Sequence, residues 1–158
     1  MPTPTYTSLA TVTLGSTATS VTFSNIPATY RDLIFVFEGV VSAGGGEVVR
    51  VNFNGDTTSG NYSATYANGD GAGRSSGNES RRFGVFYAQR SSMVASFMDY
   101  SATNKHKTYL SRAGGASNAL EMIVGRWANT AAITSIRLFP DANGFASGST
   151  LNLYGVIS

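Results

Sequence analysis

No cysteine occurs in the 158 residues, and the chain has one histidine, one tryptophan and four prolines. Without cysteine there is no disulfide framework and no thiolate nucleophile. A single histidine and no cysteine also leave the usual zinc ligand sets unfilled. Charge is scarce: 13% of residues are Asp, Glu, Lys or Arg, about half the ordinary share of roughly 25%. Lysine is confined to Lys105 and Lys107. The net charge of +2 is too small to neutralise the row of phosphates that nucleic-acid affinity needs. The basic residues are scattered apart from Arg81-Arg82 and Lys105-His106-Lys107, so nucleic acid is not an expected partner. No run approaches the ~18 apolar residues of a membrane span. The start, Met1-Pro2-Thr3-Pro4-Thr5, lacks the basic and apolar regions of a secretory signal. Neither a membrane partner nor secretion is expected.

What is present is apolar residues at a period of two. The hydrophobic fraction is an ordinary 42%, and Ser, Thr, Asn and Gly take the place of the missing charge. Ile123–Trp127, Ala132–Pro140 and Ser149–Ile157 alternate apolar and small polar residues, and Gly, Asn or Pro closes each run. That pattern predicts half-buried antiparallel strands joined by turns. Strands are also expected over Leu9–Leu14, Val21–Phe23, Leu33–Val41, Glu47–Phe53, Arg82–Ala88, Met93–Tyr100 and Thr108–Arg112, and the strand that holds Ile123–Trp127 is expected to begin at Leu120. Leu33–Val41 is the most apolar run and predicts a strand buried on both faces. Asn54-Gly55-Asp56 carries a strong hairpin-turn signal, and Gly44-Gly45-Gly46 a second turn. Residues 54–80 are Gly-, Ser-, Asn- and Thr-rich with Tyr62 and Tyr66 as their large side chains, and predict a long loop. Residues 1–7 predict an extended arm, since Pro2 and Pro4 suppress helix. Gly114-Gly115 argues against a helix over Ala113–Leu120. Nine or ten strands and no helix predict one all-β domain over residues 8–158, an antiparallel sandwich of jelly-roll type.

Reactive constellations are few. His106 has no orienting carboxylate nearby in the sequence, which leaves it as a loop residue and not a general base. Carboxylate-pair chemistry would need two acids on facing strands, about 5 to 10 Å apart. The strand acids are Glu38, Glu47, Asp99 and Glu121. Glu38 lies in the most apolar run, where a salt bridge to Arg50, Arg126 or Arg137 is the expected reason for its presence. Asp56, Asp70 and Asp141 sit in turns, and Asn68-Gly69-Asp70-Gly71 lacks the spacing of a calcium loop. No catalytic residue, metal or cofactor is therefore assigned. Trp127 and Arg126, with Tyr62, Tyr66, Tyr87 and Tyr100 taken as exposed, could form a stacking platform for sugars or fill a core or a subunit seam.

Three segments carry a resemblance. They are Val12-Thr13-Leu14-Gly15 through Val21–Pro27 to Tyr30–Leu33, then Val51–Asp56 with Asn61-Tyr62-Ser63, and Trp127 through Ile133–Ile136 to Leu153–Val156. Together they resemble a family of tailed-bacteriophage virion proteins with jelly-roll domains, known as capsid decoration (cement) proteins and as tail-fibre parts. The resemblance implies a non-enzymatic structural protein at the virion's capsid surface, with the major capsid protein as partner and a homotrimer as its assembly. A chain that starts at Met and lacks heptads or collagen-like repeats favours decoration over a fibre shaft. The arm residues Thr3, Thr5 and Tyr6 and the loop tyrosines Tyr62 and Tyr66 are the expected partner contacts, the arm by adding a strand to a neighbouring sheet edge. A tail-fibre or receptor-binding module that recognises host glycans is the alternative. A small glycan hydrolase using Glu38 with Asp99 or Glu121 is a third class.

Overall fold

A computed structural model describes residues 5–42, 46–115 and 120–157. Thr3, Pro2, Pro4, the turn at Gly44-Gly45 and part of the 113–120 segment lie outside the described residues. The described residues form twelve strands: β1 (Tyr6–Thr13), β2 (Val21–Phe23), β3 (Asp32–Gly39), β4 (Glu47–Phe53), β5 (Tyr62–Gly69), β6 (Arg74–Glu79), β7 (Arg82–Phe86), β8 (Ser91–Met98), β9 (Lys107–Gly115), β10 (Leu120–Trp127), β11 (Ile136–Pro140) and β12 (Thr150–Val156). They form an eight-stranded sheet in the order β1-β12-β3-β8-β9-β10-β5-β6 and a four-stranded sheet in the order β2-β11-β4-β7. Every pairing of these strands is antiparallel. The fold is the expected all-β antiparallel sandwich of jelly-roll type.

Alternation builds the core between the sheets. On β3, Leu33, Phe35 and Phe37 point inward and are fully buried. They meet a layer of aromatic rings from the small sheet and its connections. Phe35 lies 5.7 Å from Phe83, Phe37 stacks on Phe86 at 4.0 Å, and Phe53 sits edge-on to Phe97 at 5.7 Å. Each buried Phe contributes about 1.5–3 kcal/mol through the apolar area it removes from water. Where rings crowd the layer, the facing residue is glycine. Gly125 pairs with Tyr109 across β10 and β9, and a Cβ on Gly125 would fall 1.9 Å from the tyrosine ring.

Three expectations are corrected. β3 is not buried on both faces: Ile34 and Val36 are half-buried and Glu38 is exposed, because nothing covers the outer side of the large sheet among the described residues. The 54–80 segment is not a loop. It holds a short 3-10 turn at Ser59–Asn61 and the two strands β5 and β6. β5 pairs with β10 along its whole length and with β6 beyond. Backbone hydrogen bonds hold this pair of strands, so small polar side chains suffice where the surface is wet. The arm is shorter than residues 1–7, because Tyr6 and Thr7 already pair with Val156 and Gly155 of β12. Thr5 accepts a backbone hydrogen bond from Ile157. The turn after β4 is as expected: Asn54 and Gly55 both have positive φ (52° and 73°), and the Asp56 N–H donates to the Phe53 carbonyl.

Candidate functional site

The residues expected to bind partners are dispersed, and two of them are inaccessible or partly so. Tyr62 is buried at the start of β5, where its hydroxyl donates to the Asp56 carbonyl and accepts from the Phe53 N–H. Burial pushes the Tyr62 hydroxyl up to about 12. Tyr66 is half-buried beneath the Arg82 guanidinium, which lies 3.9 Å from its ring centre. Tyr6 is 58% exposed on the outermost strand, and Thr5 is exposed beside it. Among the described residues of this set, only Thr5 and Tyr6 come together at the surface.

The expected sugar platform is corrected likewise. Trp127 and Tyr100 are buried with Tyr62. The Trp127 Nε1–H donates to Asp56 Oδ2 at 2.8 Å, and Asn61 Nδ2 donates to the same oxygen at 2.8 Å. The Thr58 N–H donates to Asp56 Oδ1 at 2.9 Å. These donors, the indole first, hold the Asp56 carboxyl below its ordinary range. Asp56 is therefore the pin that fixes Trp127 in the core, and turn chemistry accounts for it fully. Asp70 accepts from the Ala72 and Gly73 N–H groups, and Asp141 binds Arg50. Among the described residues, no group of three His, Cys, Asp or Glu is placed to hold a metal.

The acids do not converge. Glu38 is exposed on the outer face and pairs with Arg90, not with Arg50, Arg126 or Arg137 as expected. It is outward because its neighbours Phe37 and Gly39 take the buried positions of the alternation. Asp99 is exposed in the turn after β8 and pairs with Lys105. Glu121 faces the opposite way, into the sandwich, where Arg82 Nε donates to its Oε1 at 2.9 Å. Arg82 also binds Glu79, which binds Arg50, which binds Asp141. This chain of ion pairs ties both sheets together at one end, and desolvation raises the Glu121 carboxyl. His106 is exposed in the loop before β9.

The feature that the sequence reading missed is the outer face of the large sheet. Strand register sets two parallel rows across it. One runs Met122, Arg112, Val94, Val36 and the other Val124, Leu110, Ser96, Ile34. Leu120 (71% exposed), Met122 (61%) and Val124 (60%) project from β10 alone. A shallow depression of about 330 Å³ is lined by Ile34, Val94, Ser96, Leu110, Arg112 and Met122. Arg112 and Arg126 are exposed here and make no salt bridge among the described residues. The signal was present in β10, where Leu120, Met122 and Val124 are apolar on one parity and Ile123 and Trp127 on the other. A strand apolar on both parities in a two-layer fold must show one apolar face outward.

No protein-family model matches the chain, and no curated protein matches it. Among solved structures it is similar to galectin LEC-6 of Caenorhabditis elegans, at 7% identity and TM-score 0.36, covering 94% of this chain and 96% of that one. It is also similar to the CBM40 domain of a Ruminococcus gnavus IT-sialidase, bound in that structure to α2,6 sialyllactose. There the identity is 10% and the TM-score 0.36, with 96% of this chain and 95% of that one covered. The protein CB05 of A. japonicus matches at 11% identity and TM-score 0.40, covering 97% of this chain and 26% of that one. The likeness extends to a sandwich of antiparallel sheets, and no residue role is carried across.

Proposed function

We propose that this chain is a non-enzymatic structural subunit that acts by docking, in the specific form of a bacteriophage capsid decoration protein. The observation that carries the reading is the outer face of the large sheet, an apolar surface continuous over several strands in a molecule with very little charge. Soluble monomers rarely leave such a patch uncovered, and patches of this kind mark interaction sites. The resemblance of three segments to phage virion proteins supplies the context. The rigid sandwich, with its aromatic core and its ion-paired end, supports the same role, since a docking module gains affinity from a preformed surface. The exposed pair Thr5 and Tyr6 at the start of β1 supports a second contact by strand addition, because the outer edge of β1 has no partner strand among the described residues.

Mass-spectrometric copy counting in purified particles of the phage that encodes the chain tests this reading. Hundreds of copies per particle are expected of a shell component. A few dozen would place the chain in the tail apparatus, and its absence from particles would overturn the proposal. Glycan recognition is the other reading, and with Trp127, Tyr62 and Tyr100 buried it needs a different aromatic surface. Specific retention of the purified protein on a glycan panel, together with absence from the shell, would establish it instead.

A further inference from the structure

We infer that the outer face of the large sheet is covered by a second copy of this chain, about a two-fold axis that runs parallel to the strands between β8 and β9. This rests on the docking reading and deepens it: the face is assigned to a two-fold pair in place of the homotrimer that the resemblance implies, and the exposed β1 edge with Thr5 and Tyr6 is left for contact with the shell. Three observations carry it: the size of the face, its apolar rows and its charge polarity.

The size fits a stable pair. Eight strands spaced ~4.8 Å apart and about eight residues long at ~3.3 Å each span roughly 34 Å by 26 Å, about 880 Å², with the apolar rows on the central four strands. A standard interface covers about 800 Å² per partner. The composition fits as well, because stacked sheets interdigitate apolar side chains about 10 Å apart, as the two layers of this sandwich do internally.

Charge polarity selects the operator. The β10 side of the face carries Arg126, which makes no salt bridge among the described residues, and the β3 side carries Asp32 and Glu38, which pair with Arg31 and Arg90. Register places Arg126, Thr108 and Met98 in one row, and Asp32 stands one step beyond the last β3–β8 pair at the end of that row. Met98 does not pair with Asp32 directly, but it follows Phe97, the partner of Leu33. An axis along the strands between β8 and β9 lays β10 of one copy over β3 of the other, twice. Arg126 then faces Asp32, Met122 faces Val36, and Val124 faces Ile34. Asp32 accepts from Arg31 Nε at one oxygen and from the Asp99 N–H at the other, which leaves further lone pairs for Arg126. An axis across the strands would set β10 over β10 and lay Arg126 on Leu120 of the other copy, with no carboxylate opposite the guanidinium. Arg112 falls against Val94, where its long stem covers apolar surface and its head reaches the rim.

Sedimentation equilibrium of the purified protein over a dilution series reads the pairing. A mass of two chains is expected. The variant Met122→Glu/Val124→Glu should lower the association constant at least ~100-fold while its far-ultraviolet spectrum and urea midpoint stay those of the parent, since both sites are exposed. The cysteine-free chain allows a test of register with single thiols. Mixed Val124→Cys and Ile34→Cys proteins should join through a short bis-maleimide, and Val124→Cys alone should not. A single-chain mass at the highest concentration overturns the inference, as does a three-chain mass or a pair unmoved by the double variant. Cross-linking of Val124→Cys to itself alone overturns the axis. None of these results bears on whether the protein is found in particles, so the docking reading stands or falls by its own measurement.

Discussion

Asp56 is the single side chain on which most local order depends. It accepts from Trp127, Asn61 and Thr58, and its own carbonyl accepts from Tyr62. Replacement by Ala strands the buried indole N–H and frees the turn, for an expected loss of about 2–3 kcal/mol. Urea unfolding followed by Trp127 fluorescence measures it. Asp56→Asn keeps an acceptor for the indole and should cost about 1 kcal/mol at neutral pH. The carboxyl is depressed in the folded protein, so its stabilisation is complete above the unfolded value of 3.8 and is lost as pH falls through the lower folded value. The Asn variant should therefore lose less stability on acidification than the parent. Asp70 and Asp99 are also depressed, by backbone N–H groups and by Lys105 respectively. Some acid sensitivity thus persists in the variant.

At the scale of elements, the ion-paired end joins β4, β6, β7 and β10. Arg82 is its centre, almost fully buried between Glu121, Glu79 and the Tyr66 ring. Arg82→Met keeps much of the volume but leaves Glu121 buried beside no cation, and should cost about 3–5 kcal/mol. One oxygen of Glu121, Oε2, has no hydrogen-bond partner among the described residues even in the parent, in keeping with burial as the main cause of its raised carboxyl. A raised folded value means that the folded state holds the proton at a pH where the unfolded state has released it. Stability contributed by that proton is present below the unfolded value of 4.5 and declines as pH rises through the folded one. Arg82→Met removes the guanidinium that opposes the shift, so its stability should rise clearly between neutral pH and about pH 5. Urea midpoints at the two conditions check this. Adding Glu121→Gln should recover much of the loss and abolish the pH trend.

Across the whole molecule, the chain closes on itself. The first strand pairs with the last, Tyr6 with Val156 through Thr13 with Thr150, and Leu9, Ala10 and Val12 lean on the core. Removing residues 1–13 should cost about 2–4 kcal/mol of apolar burial. It should also bare the β12 edge for pairing with other chains. A lower urea midpoint with light scattering on warming is the expected result.

Alternation and turn chemistry were legible directly. Val21–Phe23 and the closing strands emerge with little change, because an inward apolar residue every second position leaves one way to face a core. Asn54-Gly55 emerges as a turn because both residues tolerate positive φ. By contrast, β5 and β6 were hidden, since Ser, Ala, Thr and Asn carry no hydrophobic signal and their pairing comes from the backbone of β10. The same limit applied to side-chain fate. Tyr62, Tyr100 and Trp127 lie among polar residues in sequence, yet the sandwich closes over them.

The amino-acid order by itself determined an antiparallel two-layer fold with little charge and few reactive groups, since period-two apolarity and residue inventory are local properties of the chain. Only the tertiary structure decided which aromatic rings are buried, that Glu121 and not Glu38 is the buried acid, and that β10 presents its second apolar face to solvent. Those outcomes depend on which strands become neighbours and which sheet lies over which, and that is set by contacts between residues far apart in the chain.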